Sequence, residues 1–288
     1  MYDTKNGKGE DRVRIFRKKR WLLLPGLLVL GAALLLYARF VEPARLTVRT
    51  RTVQAEGLSR SLKVVFFTDT HFGRWYGVDR AARLVDAINA RQPDVVLFGG
   101  DLLDNYARDR DSLDLEELAA QLGRIQAPGG KFAVWGNHDY GGGAVRVYES
   151  LLEQAGFQVL NDESLLEEWN VQVVGYDDVL MGWTDPELYQ LNRDIFQLVV
   201  AHEPSVAEKI SAPGECFVLS GHTHGGQASL PLLNRLWLPA GSGGMVRGDY
   251  TTQDGTQVYV SSGVGLTKLP LRFLCPPEIV CVTFEPAV

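Results

Sequence analysis

Gly221-His222-Thr223-His224-Gly225-Gly226-Gln227 directly follows the apolar run Cys216-Phe217-Val218-Leu219. In an extended segment residues i and i+2 point to one side, so His222 and His224 can present ring nitrogens to a common site. The flanking glycines let other groups approach closely. A lone His-x-His also fits a solvated loop, so the rest of the chain has to decide.

The chain holds five histidines: His71, His138, His202, His222 and His224. Each falls just after a short apolar run of the kind that makes a buried strand. Lys63–Phe67 leads to Asp69-Thr70-His71, and Asp94–Phe98 leads to Gly99-Gly100-Asp101. Lys131–Trp135 leads to Gly136-Asn137-His138-Asp139, Phe196–Val200 leads to His202, and Cys216–Leu219 leads to the opening motif. Five strands thus deliver polar residues from their carboxyl ends, the edge where open α/β sheets bind ligands.

Between these strands, apolar residues recur at helical spacing over Val78–Arg91, Leu113–Ile125 and Val145–Ala155. That order predicts an α/β domain with a largely parallel, helix-covered sheet. Leu46–Val53 alternates apolar and polar residues as an edge strand does. Phe157–Leu160, Val171–Gly175, Gln257–Ser261 and Ile279–Phe284 are further strands with little helix between the last two, read as a second sheet packed on the first.

Trp21–Tyr37 is uncharged and apolar and extends through Val41 with only Arg39 to snorkel, long enough to cross a bilayer. Residues 21–41 are read as an uncleaved transmembrane signal anchor; a cleaved signal peptide ending near Gly31-Ala32-Ala33 is the alternative. Residues 1–20 carry eight Lys or Arg, and Arg39, Arg45, Arg49 and Arg51 follow the span. This bias predicts a basic cytoplasmic N-terminus and a single-pass cell-membrane protein with an extracytoplasmic catalytic domain over residues 43–288. Beyond residue 20 the chain has 21 basic against 32 acidic residues, a poor surface for gripping nucleic acid. Cys216, Cys275 and Cys281 lack metal-ligand spacing and read as buried thiols.

The strand-end residues Asp69, His71, Asp101, Asn137, His138, His202, His222 and His224 offer carboxylate, imidazole and amide donors without thiolate, a set that favours Mn, Fe, Zn or Mg. They are too many for one ion. Two divalent ions sharing a carboxylate can activate water and neutralise charge on a phosphoryl group. Asp104 and Asn105 read as supporting or loop-capping residues, and Arg272 as either a substrate contact or an exposed arginine. The apolar stretch Leu230–Val246 reads as core packing beside the site or as a cleft wall.

Asp69-x-His71, Gly100-Asp101, Gly136-Asn137-His138-Asp139, His202 and Gly221-His222-x-His224 together resemble the five signature blocks of the calcineurin-like metallophosphoesterases, in the family order. Gly225-Gly226-Gln227, the N-terminal span and the tail from Leu269 to Glu278 are further similar to a bacterial membrane-anchored branch of phosphodiesterases. The resemblance implies an αββα sandwich of two mixed sheets flanked by helices. It implies that Asp69, His71 and His224 hold one metal, that Asn137, His202 and His222 hold a second, and that Asp101 bridges both. His138 is then the proton donor to the leaving oxygen, with Asp139 orienting its ring and a metal-bridging hydroxide attacking phosphorus. The expected activity is phosphodiester hydrolysis of membrane or cell-envelope phosphoesters. Hydrolysis of a nucleotide-linked lipid pyrophosphate, of the UDP-diacylglucosamine type, is the alternative enzyme reading, and a catalytically silent binding module on the same fold is the non-enzyme one.

Overall fold

The computed structural model describes residues 25–160, 163–167, 169–184, 195–210, 216–229 and 238–287. The basic segment 1–20, the first four residues of the expected span and residues 230–237 of the apolar stretch lie outside the described residues.

Helix α1, Pro25–Ala44, is 20 residues long and, by length and composition, able to cross a membrane. At about 1.5 Å per residue it is about 30 Å long. Its leucines are exposed, whereas Ala38, Glu42 and Pro43 near its end are buried in the domain. Only Arg45 and Leu46 separate it from the first strand, β1 (Thr47–Ala55).

Two six-stranded mixed sheets follow. The first contains β1, β2 (Leu62–Phe67), β3 (Val95–Phe98), β4 (Lys131–Ala133), β5 (Gln158–Val159) and the last strand, β12 (Glu278–Pro286), in the order β1-β12-β2-β3-β4-β5. β2 to β5 are parallel to one another, and β12 runs antiparallel to β2 and parallel to β1. The second sheet contains β6 (Glu163–Glu167), β7 (Val171–Gly175), β8 (Phe196–Val200), β9 (Cys216–Ser220), β10 (Gly248–Thr251) and β11 (Gln257–Val260), in the order β10-β11-β9-β8-β7-β6. Two expectations are corrected here. Phe157–Leu160 and Ile279–Phe284 belong to the first sheet, and β6 and β10 are strands that the sequence reading did not mark.

The side-chain alternation of a strand explains the layering. Val65 and Phe67 of β2 face outward, where Leu84, Val85 and Ile88 of α2 (Ala81–Asn89), Leu118 and Leu122 of α4 (Leu115–Gly123), and Leu151 and Leu152 of α6 (Tyr148–Gln154) cover them. Val64 and Phe66 face inward and meet Val173, Leu198, Phe217 and Leu219 of the second sheet. Strands buried on both faces read as continuous apolar runs, which is why these runs stood out in the sequence. On the far side of the second sheet, Val174, Val199 and Val218 pack against Val206, Ala207 and Ile210 in and after a short 3-10 helix, Pro204–Glu208. The short helices α3 (Tyr106–Asp109) and α5 (Asn137–Gly141) fill the loops after β3 and β4. Asn105 caps α3 by accepting from Arg108 N.

Candidate metal centre

All five strand ends meet. β2, β3 and β4 bring Asp69, His71, Asp101, Asn137 and His138 from the first sheet, and β8 and β9 bring His202, His222 and His224 from the second. The backbone that does this is unusual. Asp69, His71, Asp101, His222 and His224 all have positive φ, between 44° and 68°. Non-glycine residues rarely adopt that region, and each costs on the order of 1–3 kcal/mol. The opening motif is therefore a left-handed turn and not the extended segment expected. The turn sends its two histidines apart: the ring of His224 lies 4.7 Å from that of His71, and the ring of His222 lies 5.0 Å from that of His202.

Two groups of donors result. In the first, His71 Nε2 and His224 Nε2 are 2.8 Å apart, with Asp69 Oδ1 3.2 Å from His224 Nε2 and 3.9 Å from His71 Nε2. The second group is His202, His222 and, unforeseen in the sequence, Glu203. Asp101 joins the groups: its Oδ2 lies 3.4 Å from His71 Nε2 and 3.2 Å from His202 Nε2. Glycines make room for the carboxylates, since a Cβ at Gly136 would strike the Asp101 side chain and one at Gly221 that of Asp69.

The donor chemistry fits divalent cations. Asp69, His71 and His202 are fully buried, Asp101, His222 and His224 nearly so, and Asn137 is half-buried. Asn137 Oδ1 and His202 Nε2 are buried without a hydrogen-bond partner, a costly arrangement that a cation would relieve. Donor separations of about 3 Å suit ligands held about 2.0–2.2 Å from a common ion. Ring orientation is fixed from behind. His202 Nδ1 meets the Gly99 carbonyl at 2.7 Å, and His222 Nε2 meets the Ala240 carbonyl at 2.7 Å, leaving the opposite nitrogens to face the centre.

Electrostatics without metal show how strained the cluster is. Burial alone would raise Asp69 and Asp101, yet the imidazoles of His224 and His202 hold both below the usual carboxylate range. Burial pushes His224 down to about 4. Burial pushes Glu203 up to about 9; its Oε2 accepts from Val179 N and its Oε1 has no hydrogen-bond partner.

The supporting roles differ from those expected. Asp139 does not orient His138. It is fully buried and accepts from the backbone N–H groups of Asp101, Leu102, Leu103 and Gly136, which pins the loop carrying Asp101. Burial and the Asp101 carboxylate push it up, to about 8, against the pull of those donors. The orienting residue is Asp104, whose carbonyl lies 2.7 Å from His138 Nδ1 and whose Oδ1 lies 3.4 Å from His71 Nδ1. Arg108 holds the Asp104 carboxylate at 2.7 Å. The His138 side chain is 27% exposed, the most open histidine in the cluster, and its backbone N–H donates to Asp101 Oδ1 at 2.8 Å.

Arg272 is corrected outright as a substrate contact. It is completely buried, and its guanidinium donates to the Gly265 and Cys275 carbonyls. It braces the loop behind the site. All three cysteines are free and buried, as expected.

The chain is similar to several known proteins. The calcineurin-like phosphoesterase profile matches residues 62–226. A metallophosphoesterase of Bacillus subtilis, YkuE, is 33% identical over 86% of this chain and 89% of its own length. One from Aquifex aeolicus is 30% identical over 85% of this chain and 94% of its own. A Danio rerio protein described as a transmembrane protein with metallophosphoesterase domain is 28% identical over 78% of this chain and 54% of its own. Among solved structures, a dimetal phosphatase from Danio rerio superposes with a TM-score of 0.47 at 14% identity, over 74% of this chain and 90% of that one. The profile spans more than half the sequence and the Bacillus relative aligns almost end to end, so the chain belongs to the calcineurin-like phosphoesterase family.

Proposed function

We propose that the chain is a dinuclear metal-dependent phosphodiesterase acting on membrane or cell-envelope phosphoesters. The observation that carries the two-metal reading is the position of Asp101 Oδ2, within 3.4 Å of a nitrogen from each donor group. Asp69, His71 and His224 would hold one divalent ion and Asn137, His202 and His222 the other, with Asp101 between them. Bound there, the ions supply Lewis-acid stabilisation of the phosphoryl oxygens and lower the pKa of water.

The chain's own groups do the rest. Asp101 holds the first turn of α5 through His138 N, and Asp104 holds the His138 ring through its carbonyl. A ring bonded at Nδ1 to a carbonyl directs Nε2 outward, and when both nitrogens carry a proton the one on Nε2 can pass to a departing alkoxide. The exposed flank of His138 is where the ester oxygen arrives.

The test is hydrolysis of a chromogenic phosphodiester, its monoester and a nucleotide pyrophosphate by the full chain in detergent, stripped of metal and reloaded with Mn. Diester turnover that needs metal and vanishes in Asp101→Ala supports the reading. Turnover of the pyrophosphate alone favours the nucleotide-linked lipid alternative, and metal binding with no turnover of any of the three favours a binding module. The charge bias about the span supports a domain outside the cytoplasm; protection of the domain from added protease in intact cells would overturn that reading.

A further inference from the structure

The end of α1 is hydrogen-bonded to the metal centre's own supports. The Ala38 carbonyl accepts from Arg272 N at 2.9 Å, and Glu42 Oε1 accepts from Cys275 N. Cys275 Sγ in turn donates to the carbonyl of His224 at 3.2 Å. The same loop reaches Asp104 through Thr267 Oγ1 at 3.2 Å, and Gln227, three residues past His224, through the Leu269 carbonyl at 3.0 Å.

Strand register gives the orientation. β1 begins two residues after α1 and is paired with the start of β12, Thr47 opposite Glu278. β2 runs the other way, with Phe66 opposite Val280, so its carboxyl end, which carries Asp69 and His71, lies at the edge from which α1 leaves. β1 is nine residues long, which puts the opposite edge, at Glu56, about 30 Å away. The metal-bearing edge is the one next to the helix.

Exposed apolar side chains gather on that same edge. Outside α1, the large apolar residues exposed among the described residues are Val145, Leu180, Met181, Trp183, Leu269 and Leu274. Five of the six lie on two loops, 180–183 and 269–274, that flank the centre. The first loop sits over it: Met181 Sδ packs on Gly141 at the end of the helix carrying Asn137 and His138, and Leu180 packs on Gly241, next to the carbonyl that holds His222. Trp183 is 95% exposed. On the second loop, Leu274 has a φ of 55°, so the backbone holds a leucine out to solvent at a cost. Beside these loops Arg39 lies over the rings of Phe40 and Trp75, and Arg74 over Trp75, the aromatic and cationic pairing of a lipid headgroup zone.

We propose that loops 180–183 and 269–274 are the two lips of the site and seat on the bilayer that α1 crosses, so that the substrate is a phosphoester of a lipid in that bilayer, taken from the plane of the membrane. Water-soluble proteins bury or scatter such residues, and a cluster at the rim of a site beside a membrane-length helix is what an interfacial enzyme presents. The proposal rests on the phosphoesterase reading for its substrate, but the lipid contact can be measured without it.

The experiment uses the full chain in nanodiscs of phosphatidylcholine and phosphatidylglycerol. Trp183→Cys, Leu269→Cys and Leu274→Cys, each labelled with an environment-sensitive dye, should lose about half or more of their fluorescence when nitroxide-labelled lipid is added, as Phe40→Cys on α1 should. Glu56→Cys at the far edge should not. Quenching at Phe40 alone would overturn the proposal, as would a signal at Glu56 equal to that at the lips. In the second arm, dioleoyl phosphatidic acid in the disc should raise the KM for a soluble chromogenic diester by about fivefold or more, whereas glycerol phosphate at the same concentration should not. The pair Trp183→Glu and Leu274→Glu should abolish that competition, an effect larger than any it has on soluble turnover. Equal competition by both phosphates would overturn the lipid substrate. Absence of soluble turnover in the unaltered chain, with quenching intact, would overturn the phosphoesterase reading and leave the lipid-seated lips.

Discussion

The two sheets supply the centre by different means. On the first sheet the donor loop of Asp101 is fastened by a carboxylate that accepts from backbone N–H groups: Asp139 takes them from Asp101, Leu102 and Leu103, and from Gly136 in its own turn. On the second sheet the donor rings are fastened by main-chain carbonyls, Gly99 for His202 and Ala240 for His222. One half is positioned through its backbone and the other through its side chains. On this basis the first half should keep its shape without metal, while the second should depend on ring contacts and on buried Glu203, whose carboxyl burial pushes up to about 9.

The sharpest way to break this comparison is to cut the link between the halves. Asp101→Ala should lower metal-dependent diester turnover by about a thousandfold or more and leave one weak site in a metal titration, because Asp101 Oδ2 lies within 3.4 Å of a ring nitrogen from each group. Next in size is Asp139→Ala, which strands four backbone donors and should destabilise the metal-free chain by about 3 kcal/mol or more in denaturant unfolding. Equal loss from replacing an exposed acid such as Glu56 would contradict that role.

Asp104→Asn should weaken metal affinity by about 10–100-fold while leaving the midpoint of unfolding nearly unchanged, since its carboxylate orients the His71 ring without carrying the loop. Isothermal titration with Mn checks it.

Glu203→Gln tests the second half by pH. Its folded-state pKa is raised to about 9 from 4.5, so the folded chain holds this proton more tightly than the unfolded one. The stabilisation from that proton is full below pH 4.5 and is lost as pH rises toward 9. The variant keeps a neutral group throughout. It should therefore melt a few degrees higher than the unaltered metal-free chain at pH 8 and at about the same temperature near pH 4.5. No difference at pH 8 would mean that Glu203 is ionised in the metal-free fold. Smallest of all, Trp183→Ala should not change Tm, given 95% exposure.

What was legible in the sequence follows the range of the interactions. The strand runs and the polar residues after them are local signals, because a strand covered on both faces is a continuous apolar run that stops at its polar carboxyl end. The placement of β12 was not legible: it pairs Val280 with Phe66 across more than two hundred residues, and nothing in Ile279–Phe284 names its partner. The exchange of roles between Asp139 and Asp104 was hidden for a similar reason. Adjacency to His138 suggested Asp139, whereas the turn into α5 directs that carboxylate back toward Asp101 N. Glu203 carried a weak signal, an acid lodged between a strand-end histidine and a proline. The burial of Arg272 had none, since its partners are carbonyls at Gly265 and Cys275.

The left-handed turns at Asp69, His71, Asp101, His222 and His224 bear on any effort to improve this protein. Glycine at each of these positions relaxes the backbone and removes a donor in the same step. A library ranked by heat resistance of the metal-free chain will thus enrich variants that have discarded the centre, and selection has to be run with the cation present for the two properties to rise together.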